Sequence, residues 1–204
     1  MEKGICYVVG AGECDKLLLQ AGREDYVIAV DGGYEKLRGS RIDLVVGDFD
    51  SLSYVPEHPH VVRLKPEKDD TDMMIALKRG LERGYRIFHI YGGCGGRFDH
   101  TLANIQCLAY LAKKHARGFL IGCRHTVTLI ENDSIEFPKE RTGYVSVFSY
   151  GETARGVTIK GLKYTLTDAR LIDREPLGVS NEFVGTPSLI RVREGRLLVV
   201  YETQ

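Results

Sequence analysis

Apolar residues take two textures along this chain. In its first part they form short continuous runs, Ile5 to Val9, Tyr26 to Val30, Leu44 to Gly47, Val61 to Leu64, Arg86 to Tyr91 and Gly118 to Ile121, most of them closed by glycine, aspartate or proline. Runs of that length bounded by turn residues predict strands buried on both faces. Two segments of helical period lie between them. One is capped by Asp70 or Thr71 and runs to about Arg83, with Met74, Leu77 and Leu81 inward and Gly84 as its stop. The other runs from about Phe98 to His115 with Leu102, Ile105, Leu108 or Ala109, and Ala112 inward. Its closing Lys113, Lys114 and His115 suit the negative helix end. A shorter helix is expected around Leu17 to Gln20. From about Thr126 the helical period disappears. β-rich segments recur at Thr126 to Ile130, Tyr144 to Tyr150, Val157 to Lys160, Leu189 to Arg193 and Leu197 to Tyr201, separated by Gly, Pro and Asn. The expected fold class is α/β. A Rossmann-like, mostly parallel sheet with flanking helices spans residues 1–125, and a smaller all-β sandwich spans residues 126–204.

Composition narrows the classes without deciding among them. The 204 residues are 43% hydrophobic and 27% charged, with 28 basic and 28 acidic side chains balancing to zero. That balance disfavours extended nucleic-acid or membrane-surface binding. No apolar run reaches membrane-spanning length, and the first run is too short for a signal peptide. Five scattered cysteines, Cys6, Cys14, Cys94, Cys107 and Cys123, show no zinc-like spacing. They fit reduced thiols in a cytoplasmic protein.

The chemistry gathers at the ends of the expected strands, where open α/β sheets bind ligands. After the second strand comes Asp31-Gly32-Gly33, whose carboxylate is suited to a ribose, a metal-bound water or a helix cap. After the third comes Gly47-Asp48-Phe49-Asp50-Ser51; in an extended chain Asp48 and Asp50 point the same way. Lys68-Asp69-Asp70-Thr71-Asp72 opens the first long helix, where Asp69 and Asp72 either share a face or cap the helix in solvent. After the fifth strand, Gly92 to Gly96 precede Arg97, Asp99, His100 and Asn104. Free N–H groups at that helix start and the Arg97 guanidinium both favour a phosphate. The Gly10-Ala11-Gly12 turn lacks the third glycine of a dinucleotide fingerprint and reads as a plain strand-to-helix turn. Carboxylates drawn together repel unless cations lie between them, and Mg²⁺ is the oxygen-liganded ion that bridges phosphates. Gly178-Val179-Ser180-Asn181-Glu182-Phe183 reads by itself as a polar loop.

Taken in order, Gly-Asp-Phe-Asp-Ser, Lys-Asp-x-Thr-Asp, Gly-Gly-Arg-x-Asp-His-x-Leu-x-Asn and the Gly178 to Phe183 cluster resemble the thiamine pyrophosphokinases of the bacterial type, over almost the whole chain. The resemblance implies pyrophosphoryl transfer from MgATP to the thiamine hydroxyl, giving thiamine diphosphate and AMP, by a homodimer that binds thiamine near the subunit contact. It implies that Asp48, Asp50, Asp69 and Asp72 hold Mg²⁺ and carry catalysis. It implies further that Asp31, Gly32, Lys68, Arg97, Asp99, His100 and Asn104 serve the nucleotide, and that Ser180 and Asn181 serve thiamine. The chain has no tryptophan, so a Tyr or Phe must replace the one that eukaryotic relatives place against the thiamine ring. A sugar-nucleotide transferase, a haloacid-dehalogenase-type phosphatase and a nucleotide-sensing module remain as alternatives from the residues alone. The metal-site reading stands only if Asp48 and Asp72 come within reach of a shared ion.

Overall fold

In a computed structural model describing residues 3–13 and 19–203, the chain divides into two compact units, Met1–Cys123 and Arg124–Gln204. The first is a parallel sheet of β1 (Ile5–Val9), β2 (Tyr26–Val30), β3 (Leu44–Gly47), β4 (Val61–Arg63), β5 (Ile87–Tyr91) and β6 (Arg117–Ile121). Its spatial order is β6-β5-β1-β2-β3-β4. Chain order runs outward in one direction from β1 to β4 and in the other from β5 to β6. The sheet order therefore reverses between β1 and β5, the topological position at which open α/β sheets take their ligands.

Both faces of this sheet are covered, which is why its strands read as unbroken apolar runs. On one face, α2 (Asp72–Glu82) and α3 (Phe98–Lys113) pack over Cys6, Phe88, Ile90 and Leu120. On the other, Tyr7, Val9, Val27, Ala29, Val45, Phe49 and Tyr91 pack with Leu37, just past the short helix α1 (Gly33–Lys36). The helix expected at Leu17 to Gln20 begins outside the described residues, and its last two residues carry no regular structure.

The inward stripes of both long helices differ from the expected ones. α2 buries Met73, Ala76, Leu77 and Gly80. Met74 and Leu81 are only half-buried. A Cβ at Gly80 would lie 2.5 Å from Phe88 Cε1 and 2.8 Å from Cys6 Sγ, so the helix rests on the sheet through its smallest residues. Counting large apolar residues misses a contact built from Gly and Ala. α3 buries Asn104, Cys107, Leu108 and Leu111, while Leu102 is exposed. The buried cysteines are inert: desolvation pushes both thiols up, that of Cys107 to about 11. Among the described residues no helix is long and apolar enough to cross a membrane.

The second unit is antiparallel. One group of strands has the order β12-β9-β14-β7, formed by Gly178–Glu182, Tyr144–Ser149, Arg196–Glu202 and His125–Glu131. The other has the order β11-β10-β13-β8, formed by Leu166–Leu171, Ala154–Lys160, Ser188–Arg191 and Ser134–Phe137. Phe137 of the second group packs edge-on against Tyr201 of the first, with ring centroids 5.0 Å apart. Strands β8, β11 and β12 are absent from the sequence expectations. β11 and β12 each pair on one side only, and their polar, exposed sequences carry little alternation.

Gly80→Ala is expected to destabilise the first unit by about 1–3 kcal/mol, because Phe88 and Cys6 must give way to the added methyl. Urea unfolding followed by circular dichroism measures it.

Candidate active site

A cavity of about 570 Å³ opens at the tips of the parallel strands, lined by glycine backbone, carboxylates and the start of α3. Each tip reaches it by a separate local device.

The chain leaves β2 with Asp31 in the left-handed region (φ 46°), and the Asp31 amide donates to Val46 O at 3.0 Å. The Asp31 carboxylate then lies over Gly47, where a Cβ would fall 1.9 Å from its Oδ1. Gly47 is thus required for the carboxylate to occupy that place. Phe49, also left-handed (φ 63°) and buried, turns the chain after β3 and donates its amide to Asp31 Oδ1 at 3.4 Å. β3 ends at Gly47 and Asp50 begins a 3₁₀ turn through Leu52, so Asp48 and Asp50 are not extended-chain neighbours as expected. Both still line the cavity, and the Asp50 amide donates to Asp48 Oδ1 at 3.3 Å. At the start of α2, Thr71 caps the helix by accepting from the Met74 amide at 3.2 Å, which fixes Asp72 in the first turn.

These devices bring one carboxylate oxygen each from Asp31, Asp48 and Asp72 within 4.8 Å of one another. Lys68 reaches in from the loop before α2, with Nζ 2.9 Å from Asp48 Oδ2 and 3.0 Å from Asp72 Oδ1. The second contact is an attraction of charges without hydrogen-bond alignment, for Asp72 Oδ1 is buried and accepts no hydrogen bond. Burial, and next the charge of Asp72, push the Asp31 carboxyl up to about 7, against the opposing hydrogen bond from Phe49. The hydrogen bond from Lys68 holds Asp48 below the usual carboxylate range. Burial works against the Lys68 ammonium, but its hydrogen bond to Asp48 and its attraction to the Asp72 and Asp48 carboxylates outweigh that and raise its pKa. An all-oxygen donor set with an unsatisfied buried oxygen fits a hard divalent cation such as Mg²⁺.

Opposite the carboxylates the wall is backbone. Gly10 N–H donates to Tyr91 O at 2.8 Å and Gly12 N–H to Gly92 O at 2.9 Å, interlocking the turns after β1 and β5. A Cβ on Gly92 (φ 62°) would lie 2.3 Å from Gly10 O, and one on Gly12 would lie 2.6 Å from Gly92 O. Only glycines permit this approach. The buried Asn104 side chain donates Nδ2 to Gly93 O at 2.6 Å and ties the glycine loop to α3. Arg97, His100 and Asn104 line the cavity, while Asp99 does not. Asp99 instead orients Arg97 through paired contacts of 2.6 and 3.2 Å.

The expected site residues therefore sort by place. Asp31, Asp48, Asp50, Asp72, Arg97, His100 and Asn104 share one cavity. Lys68 is bound to its carboxylates. Asp69 is exposed, outside both the lining and the carboxylate cluster. Gly32 lies behind the lining, where a Cβ would stand 3.0 Å from that of Ala11. Gly10 to Gly12, read from sequence as a plain turn, belong to the wall. Their signal was a glycine turn at the tip of a strand whose neighbour ends in glycines too.

In the second unit, Ser180 is exposed on β12 in the left-handed region (φ 59°), its amide donating to Ser146 Oγ at 3.0 Å. Asn181 is buried, and its amide is largely committed. Oδ1 accepts from the Tyr164 and Glu182 amides, both at 2.9 Å, and Nδ2 donates to Tyr164 O at 2.7 Å. One Asn181 N–H is left. The clamp fixes the backbone of Tyr164, whose ring is 60% exposed.

Comparison with known proteins agrees with this division. Residues 18–120 match the family model for the catalytic domain of thiamin pyrophosphokinase, and residues 132–197 match that for its vitamin B1 binding domain. The chain is 30% identical over 186 residues to thiamine pyrophosphokinase from Bacillus subtilis strain 168, covering 86% of each sequence. The crystal structure of thiamine pyrophosphokinase from Bacillus subtilis is similar at a TM-score of 0.88 and 27% identity, covering 98% of this chain and 100% of that one. That of thiamin pyrophosphokinase from Geobacillus thermodenitrificans gives 0.84 and 27%, covering 98% of each.

The raised pKa of Asp31 has a measurable sign. Between 3.8 and about 7 the folded chain keeps a proton that the unfolded chain has lost. The associated stability is complete below the lower value and disappears as pH rises through the upper one. In chelator-treated protein, the Tm of wild type relative to Asp31→Asn should fall from about pH 4 to about pH 8. Thermal melts of the two across that range test it, and a constant difference would refute the assignment.

Proposed function

Because this chain belongs to the thiamin pyrophosphokinase family, we propose that its chemistry takes place in the cavity at the tips of β1, β2, β3 and β5. The reaction is ATP-dependent transfer of a pyrophosphoryl group to thiamine, giving thiamine diphosphate. Family membership displaces the sugar-nucleotide transferase, phosphatase and sensor alternatives. The observation that carries the location is the convergence of Asp31, Asp48 and Asp72 across from a glycine wall in one cavity.

In this reading the wall and Arg97 receive the polyphosphate, the glycine turns by letting it approach the backbone closely and the guanidinium by charge. Asp31, Asp48 and Asp72, with Asp50 beside them, hold Mg²⁺, which when bound offsets charge on the phosphate oxygens. Asn104 fixes the loop on which the phosphates rest, and Asp99 aims Arg97. The thiamine hydroxyl oxygen bonds to the β-phosphorus and its proton passes to a carboxylate of the cluster, while the bond from that phosphorus to the α,β-bridging oxygen breaks and AMP leaves with the electron pair. Positioning and charge neutralisation supply most of the acceleration.

The second unit is read as a β-sandwich that presents thiamine. Tyr164 is the aromatic platform we assign in place of tryptophan, since Asn181 holds its backbone while its ring faces outward. A tyrosine face attracts a cationic ring such as thiazolium. Ser180, exposed next to Asn181 on β12, supplies a hydroxyl. The chain is further read as a cytoplasmic homodimer. Tyr144, Leu177, Val179 and Val184 are exposed around β9 and β12, and β12 is an open edge strand, a combination that favours a covering partner.

With ATP, Mg²⁺ and thiamine, chromatography should show AMP and thiamine diphosphate in equal amounts. Asp48→Asn should lower turnover by about a thousandfold while leaving the far-UV circular dichroism intact. Near-normal AMP release by that variant would remove Asp48 from the catalytic site. Tyr164→Ala should raise the KM for thiamine about tenfold with little change in kcat. An unchanged KM would exclude the platform.

A further inference from the structure

Three carboxylates meet in this cavity, and the ion pairs of the described residues place one ammonium, that of Lys68, against two of them. The three side chains of that contact are each largely covered: Lys68 is 17% exposed, Asp48 13% and Asp72 17%. Asp31 finds its support elsewhere, in the Phe49 amide. Lys68 stands outside regular structure, between β4 and α2, on a flexible four-carbon stem. Asp48 and Asp72 start from more rigid places, one residue past a buried strand and in the first turn of a capped helix. The carboxylates are therefore fixed, and the ammonium is the member that can leave.

We propose that Lys68 is the resident counter-ion of the free enzyme: it holds Asp48 and Asp72 in the ligating arrangement and is exchanged for, not joined by, the divalent cation. This rests on the reading that Asp31, Asp48 and Asp72 take such a cation. An ammonium and a divalent ion on the same oxygens would repel each other at contact distance. The exchange keeps the cluster neutralised before the cation arrives, so the cavity is formed in the free protein. Its cost falls on cation affinity, because every cation that binds must displace Lys68. The released ammonium remains beside the cavity, free to meet a phosphate oxygen, so cation and nucleotide favour each other. Lys68 acts here as a positioning residue through the two carboxylates.

The test measures Mn²⁺ binding without nucleotide, from the spin resonance signal of the free ion. It compares wild type, Lys68→Met, Lys68→Arg and Asp48→Asn, with Tm recorded in chelator and in Mg²⁺. Lys68→Met, which keeps the stem and removes the charge, should bind Mn²⁺ about tenfold more tightly than wild type. Mg²⁺ should also raise its Tm by more than it raises that of wild type. Lys68→Arg should stay within about twofold of wild type, since the competing charge is retained. A purely structural Lys68 would lower Tm in Lys68→Met and leave Mn²⁺ affinity unchanged, and that result overturns the exchange. Equal binding by wild type and Lys68→Met with loss in Asp48→Asn overturns the exchange alone, leaving the cation site standing. No Mn²⁺ binding by wild type or Lys68→Met sinks the site and the exchange together. A Lys68→Met protein that folds only with Mg²⁺ supports the exchange. Should it fold in neither condition, Lys68→Gln in the same titration decides by the same criterion.

Discussion

Crowding of like charge is the constraint on which the first unit depends. Two carboxylates about 4 Å apart repel by about 4 kcal/mol at an effective dielectric constant of 20. That is a large share of the stability of an ordinary domain. This chain brings Asp31, Asp48 and Asp72 together from three separate segments and tolerates the cluster by two means. Asp31 yields its charge, with its pKa pushed up to about 7, and Lys68 neutralises the other two. A site poised in this way gains from a cation in proportion to the repulsion it stores. The fold positions the carboxylates, and the partner charge decides what the arrangement costs.

The place where they meet follows from topology. A parallel sheet carries all its strand ends to one rim, and its order reverses between β1 and β5, the position at which such sheets take ligands. Covering the rim with side chains would close it. Glycines at 10, 12 and 92 instead let two turns interlock through backbone, and Gly47 clears the space that the Asp31 carboxylate fills. Polar chemistry from Asp31 and a wall of backbone from the glycine turns come from one rule: each neighbouring chain approaches as closely as the absence of a Cβ permits. Asn104 extends it, spending a buried side chain on a loop carbonyl in place of a ligand.

The second unit uses polar residues differently. Asn181 satisfies nearly all its hydrogen-bonding capacity on the backbone of Tyr164 and Glu182, so an exposed ring is held by a buried amide. A short polar edge strand such as β12 has little core to bury, and its register breaks between Gly178 and Asn181. Its side chains are therefore decided by what they hold or meet, and hydrophobic patterning gives no account of them.

Amphipathic period and strand length, read without coordinates, determined the six parallel strands, the two long helices and the change of texture near Thr126, because burial on two faces leaves an unmistakable apolar run. They also marked Asp31, Asp48, Asp72, Arg97, His100 and Asn104, since loop chemistry at strand ends follows from a parallel sheet. Local reasoning could not weigh contacts made by small residues, and so it turned Met74, Leu81 and Leu102 inward where Gly80, Ala76 and Asn104 make the contact. Spacing left Asp69 either on a shared face with Asp72 or in a solvated cap, and only the resemblance put it in the metal set; spacing fixes a helical face only once the helix has begun, and α2 begins at Asp72. Strands β11 and β12 escaped because a partner strand, and not an apolar face, defines them, while β8 alternates over only four residues. Which carboxylates come within reach of one another, which lysine stands between two of them and which glycines make the wall were decided only by the tertiary structure. Distances between segments far apart in the chain depend on strand order, and strand order is a property of the whole sheet.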